Sequence, residues 1–208
     1  MISVITGDII NSRKLKNQLQ WLASLKKLFA EEGKSPKKWE IYRGDSFQLE
    51  VKKPEEALLM AIRIKANIKC IKSIDVRMAI GIGKKDYSAP KITESNGEAF
   101  IYSGEKLENL KKEKQTLSIK TPWTELDKEM NLYICLALIA MDNWSQGAAE
   151  LVKISLEDRN MAQQEIGDIL GITQSSVSER QKRAHYTEIM EMEALYREKI
   201  KSKLCSRR

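Results

Sequence analysis

The run from Ala162 to His185, AQQEIGDILGITQSSVSERQKRAH, admits few folds. Ile166, Ile169 and Leu170 recur at the three- and four-residue spacing that gathers side chains on one helix face. Gly171 then stands where a helix end turns left-handed, a backbone conformation glycine adopts at least cost. Ile172 follows as an apolar plug, and Thr173 is placed to cap a second helix by accepting a backbone N–H. Val177 must face inward on that helix, while Gln174, Ser175, Ser176, Ser178, Glu179, Arg180, Lys182 and Arg183 point out. The pattern predicts a helix, a tight turn and a second helix over about 162–185.

Hydrogen-bonding side chains at the start of the second helix suit base edges, and cations further along suit phosphates. The LGITQSSVS run resembles the turn and recognition helix of bacterial helix-turn-helix regulators. That resemblance implies double-stranded DNA as the partner. Gln174, Ser175, Ser178 and Arg180 would face bases, with Ser176 beside them. Gln163, Lys182 and Arg183 would hold phosphates, and Glu179 can accept from a cytosine amino group. One such unit reads a half-site, so a homodimer is expected. The competing readings are a hairpin with a merely solvated outer face, and a hairpin that docks a protein.

A net charge of +7 over 208 residues favours a polyanionic partner without naming it. The 42% apolar content is enough for real cores. Cys70, Cys135 and Cys205 lie far apart with no metal-ligand spacing, which fits a reducing cytoplasm. Cys70 and Cys135 fall in apolar helical runs and are expected to be buried. The start MISVITGDII has no basic segment and meets Asp8 at once, so it is neither signal peptide nor membrane span. The apolar run at 132–141 is too short to cross a bilayer. A cytoplasmic protein with no membrane partner is the expectation.

Before residue 121 the pattern alternates between strand and helix. An apolar β-branched start ends at Gly7-Asp8, and Ser12 can cap a helix with Leu15, Leu19, Leu22 and Phe29 on one face and Lys16 elsewhere. Trp39 to Val51 reads as two alternating strands joined by Arg43-Gly44-Asp45-Ser46. Pro54 opens a helix, Val76 to Ile82 alternates as a strand, a helix follows Asn96-Gly97, and Thr116 to Lys120 forms a last strand. The order is that of the split β-α-β, ferredoxin-like or palm-like topology. It predicts an α+β protein whose antiparallel sheet, over 1–120, carries helices on one face. An all-α domain over 121–208 holds the helix-turn-helix. The last helix bears a stripe of Ile189, Met192, Leu195 and Ile200, suited to packing or dimerisation.

That topology sets the first strand beside the second hairpin, so Asp8 and Asp45 can converge. Two carboxylates are the kind of site that holds Mg²⁺ with a nucleotide's phosphates. Arg43 and Ser46 flank Asp45 and can meet phosphate. Taken singly, Asp8 reads as a capping carboxylate and Asp45 as a turn residue. His185, the single histidine, suits a phosphate-facing or solvated role. No P-loop, dinucleotide fingerprint or nucleophile-elbow serine is present.

TGDIINS followed by YRGDSF resembles the paired metal motifs of class III nucleotide cyclases and palm polymerases, and RMAIGIG and GEAFIYSGEKLENL resemble their cyclase counterparts. The resemblance implies Asp8 and Asp45 as metal ligands, with the backbone at 9–12 near the phosphates. Where active cyclases carry an asparagine and an arginine, this chain has Tyr102 and Lys106, and Ile41 replaces a base-selecting lysine. Lys106 can still offset phosphate charge, though without a bidentate fork. The implication is nucleotide binding rather than turnover, with a metal-dependent nucleotidyl cyclase or transferase as the enzymatic alternative. The whole layout, with Asn143-Trp144 ahead of the LGI turn, resembles the SatD family of bacterial proteins.

Overall fold

The structure, a computed structural model, describes residues 1–14 and 19–206. Leu15 and Lys16 of the expected first helix lie outside the described residues, as does the side chain of Leu19. In chain order the elements are β1 (Ile2–Ile10), α1 (Leu19–Phe29), β2 (Trp39–Tyr42), β3 (Ser46–Val51) and α2 (Ala57–Lys69). Then come β4 (Asp75–Gly83), α3 (Glu98–Glu113) and β5 (Leu117–Lys120). The rest is helical: α4 (Thr124–Met141), α5 (Gln146–Glu157), α6 (Gln163–Leu170), α7 (Gln174–Arg183) and α8 (Tyr186–Cys205). The chain is therefore α+β, with one mixed sheet of five strands among the described residues.

The sheet order is β2-β3-β1-β4-β5. The first four strands pair antiparallel, but β5 runs parallel to β4, which corrects the expectation of a wholly antiparallel sheet. The cause is α3, a crossover that brings the chain back so that β5 enters in β4's direction. Helices also lie on both faces rather than one. Val4 and Ile5, neighbours pointing oppositely along β1, are each 0% exposed, so both faces need a cover. Ile5 and Ile9 join the core cluster that contains α1 and α2, whereas Val4 packs with Ala99 and Phe100 of α3. Gly81 makes the second packing possible: a β-carbon there would stand 2.1 Å from the Ala99 carbonyl oxygen. The Thr6 and Ser103 hydroxyls then meet at 2.8 Å across that interface.

The hairpin forms as expected, with positive φ at Arg43 (52°) and Gly44 (86°). The main core does not stop at residue 120. Ile5, Ile62 and Ile80 share one cluster with Ile134, Val152 and Tyr196. Tyr196 is fully buried on α8 and donates its phenol to the Pro54 carbonyl at 2.6 Å. Lys65 of α2 is equally buried; its ammonium lies 3.0 Å from Asp75, 2.6 Å from Asp142 and 3.2 Å from the Thr116 hydroxyl. A buried cation is tolerable when it is so surrounded.

A second, smaller cluster belongs to the C-terminal hairpin: Leu151, Ile166 and Val177, with Ile154, Met161, Leu170 and Ile172 against it. Ile169 does not join it and is 59% exposed. At about 100° per residue, the buried face of α6 centres between Ile166 and Gly167, and Ile169 lies about 110° round from it. The cysteine expectation is also corrected in part. Cys135 is exposed, because α4 turns Ile134 and Leu138 inward and Cys135 away. Cys70 is half-buried, and burial pushes its thiol up to about 11.

Candidate functional site

Register builds the first site. Tyr42 pairs with Ser46, Ser46 with Asp8, and Asp8 with Arg77. Residues opposite one another across strands share a face, so these four side chains form a row over β2, β3, β1 and β4. The row lies on the α3 side of the sheet, and Lys111 reaches it from the last turns of α3. The Arg77 Nη1 is 3.3 Å from Asp8 Oδ1, and the Lys111 Nζ is 3.7 Å from Asp8 Oδ2. Arg77 is anchored from behind by donating through Nε to the Gln115 carbonyl at 3.3 Å.

Asp45 sits one residue before the row. Its backbone oxygen accepts from Ile9 N at 2.9 Å, and its Oδ2 accepts from the Ser12 hydroxyl at 2.9 Å. Ser12 is thus a buried partner of Asp45. Burial raises the Asp8 pKa; Arg77 and Lys111 oppose the rise, and the nearby Asp45 charge adds to it. Burial likewise raises Tyr42, against the charges of Arg43 and Lys111. Beside the row is a polar hollow of about 380 Å³, lined by Glu40, Tyr42, Arg43, Gln48 and Thr93. The buried Gln48 Oε1 has no hydrogen-bond partner among the described residues.

Register therefore brings Asp8 and Ser46 together with Asp45 alongside, and Arg43 lines the hollow next to them. Lys106 goes elsewhere: it lies 3.9 Å from Glu113, and its charge acts on Asp127. Tyr102 also turns toward β5, where the Lys120 ammonium sits 5.0 Å from its ring centre. Sequence reasoning missed Arg77, Lys111 and Ser12. The available signal was alternation in β4, which puts Arg77 opposite the apolar Val76 and Met78. As arranged, both carboxylates are engaged by protein groups. Each oxygen of Asp8 already faces a cation, Asp45 holds Ser12, and no group of three or more metal-ligating side chains stands together among the described residues. Two cations face Asp8, and Arg43 lines the hollow beside it.

The second site is α6, its turn and α7. Gly171 is left-handed (φ 64°), and Thr173 caps α7 by accepting from Ser176 N at 3.2 Å. Gly167 admits the turn, since a β-carbon there would lie 2.7 Å from the Ile172 carbonyl oxygen. Val177 is 0% exposed. Gln174, Ser175, Glu179, Lys182 and Arg183 are exposed, and Ser176 and Ser178 are partly so. The Ser175 and Ser176 hydroxyls both contact the Thr173 hydroxyl, at 2.9 and 3.0 Å. Arg183 pairs with Glu179 at 3.2 Å. Two of the expected contacts turn inward instead. Gln163 donates to Gln181 at 2.7 Å, and the Arg180 guanidinium lies over Gly147 of α5, 3.1 Å from where a β-carbon would be.

A model of the SatD family matches residues 1–192, which takes in both sites. The chain belongs to the SatD family. No curated protein and no solved structure matches it. The SatD match runs from β1 into α8, so the sheet and the helical region are parts of one family unit.

Proposed function

We propose that this SatD-family chain is a cytoplasmic DNA-binding transcriptional regulator that acts as a homodimer. In this reading α6 and α7 form a helix-turn-helix on double-stranded DNA, and the palm-like sheet senses a nucleotide or similar phosphorylated ligand. The observation that carries the reading is the division of α7. Its one apolar side chain, Val177, is buried against α5 and α6, while its first turn presents Gln174 and Ser175 and its last turn presents Lys182 and Arg183. Short polar side chains ahead of cations on one exposed face suit a major groove and its phosphates.

The sensing role rests on the row of Tyr42, Ser46, Asp8 and Arg77 with Lys111 above it and Arg43 alongside. Arg77, Lys111 and Arg43 would hold phosphate oxygens, and the adjoining hollow has room for the rest of a ligand. The cyclase alternative is less supported, because Tyr102 faces β5, Lys106 lies by Glu113 and Asp8 is already held by cations.

The test is binding to genomic fragments across a salt series. Lys182→Ala is expected to weaken binding for all sequences and lower the salt slope by about 1. Gln174→Ala is expected to relax sequence preference instead. Absence of binding at low salt, or no effect from Lys182→Ala with Arg183→Ala, would end the proposal. Product formed from any nucleoside triphosphate with Mg²⁺, and lost in Asp45→Ala, would establish the enzymatic reading.

A further inference from the structure

Leu132, Leu136 and Ile139 of α4 are 58%, 57% and 69% exposed. They follow one another at four and three residues, the spacing of a seam that packs against another helix. Beside them runs a groove of about 530 Å³, floored by Tyr133, Ala137, Ala140 and Met192 and closed on its far side by α8. The two helices are antiparallel: Lys199 near the end of α8 lies 2.9 Å from Glu129 near the start of α4, and His185 and Ile189 line the groove with Ile139 and Ala140. A lone apolar ridge and groove of this extent calls for a cover.

The charge along α8 says what the cover is. On the groove side it carries Glu188 and Glu191 in its first half and Lys199 and Lys203, against Glu198, in its second; Glu193 is turned inward and held by Arg197. A second copy related by a two-fold axis across these helices would run α4 antiparallel to its own counterpart and α8 likewise. Leu136 would lie near the axis, with Leu132 against the partner's Ile139. Glu188 would then lie near the partner's Lys199. The 18 residues of α4 span about 27 Å, long enough for all three apolar side chains to meet their counterparts.

We infer that this chain dimerises through α4 and α8, forming an antiparallel four-helix seam with a second copy of itself. The seam forms without DNA or nucleotide, so its failure and that of the regulator reading are told apart.

Sedimentation of the full chain without DNA tests it. The wild type is expected to be dimeric, and Leu136→Glu, at an exposed position that spares the fold, is expected to raise the dimer dissociation constant more than 100-fold. Glu188→Lys is expected to weaken the dimer about tenfold at low salt. For orientation, Leu132→Cys and Ile139→Cys are each made in a chain with its three native cysteines replaced by serine. Oxidation of the two mixed is expected to give covalent dimer, and of either alone little. A chain monomeric at roughly 100 μM overturns the inference. So does a dimer indifferent to Leu136→Glu, or one in which each cysteine variant crosslinks to itself. If the monomer takes up an apolar dye that Leu136→Glu abolishes, the groove belongs to a small ligand instead.

Discussion

The Asp8 row and the α6–α7 hairpin are both small polar surfaces, yet they are held in opposite ways. The row is laid across four strands whose partners lie up to 69 residues apart, on a sheet covered on both faces. The hairpin is made within about 25 residues and rests on a cluster of three fully or nearly buried side chains, Leu151, Ile166 and Val177. Damage to the sheet's support should therefore be global, and damage to the hairpin's support local.

The largest effect is expected at Lys65. Lys65→Ala leaves Asp75 and Asp142 without their buried cation and should cost about 3–5 kcal/mol, read as a lower urea midpoint for the whole chain. A localised loss would break the contrast. Next, Ile166→Ala should cost about 2–5 kcal/mol within the hairpin. Amide exchange should rise across α6 and α7 while β1 and β4 stay protected; loss of protection throughout would show that the two regions are one cooperative unit.

How far each region could be read from sequence follows the same division. The hairpin's signals, Gly171, Thr173 and Val177, act within one or two turns, so they were legible. Ile169 was misjudged because Gly167, not the isoleucine spacing, decides which face of so short a helix is closed. The strand order was legible from alternation and turns. The row was legible only at Asp8, Asp45 and Ser46, since Arg77 meets Asp8 through a register the sequence does not encode locally. Which lysine of α3 reaches the site depends on how that helix lies over Gly81 and Gly83; Lys111 reaches it and Lys106 does not.

The smallest expected effects are in pH dependence, and they belong to the sheet. Burial would raise Glu50, but hydrogen bonds from Lys38 and Lys85 win and hold it below its ordinary 4.5. Its contribution is complete above that value and fades as pH falls through the lower folded one. Asp8 has the opposite sign. Its folded pKa lies above the ordinary 3.8, so its contribution is full below that value and is lost as pH rises through the folded one. Asp8→Asn should remove the second slope from acid unfolding curves and leave the first; an unchanged profile would show that Asp8 titrates as in the unfolded chain.

The way α8 is fastened has a mechanical result. It starts one residue after the joint with α7, where Trp144 donates to the Ala184 carbonyl at 2.9 Å and Tyr186 to that of Ser155 at 3.3 Å. About three turns on, Tyr196 is pinned to Pro54, at the entrance to α2. A rod clamped at both places bends little, so the hairpin and the sheet turn together as a single body. In the regulator proposed above, grip would change by swivelling whole subunits against each other, and the angle between two copies, more than any flexing inside one, would be the quantity a ligand has to set.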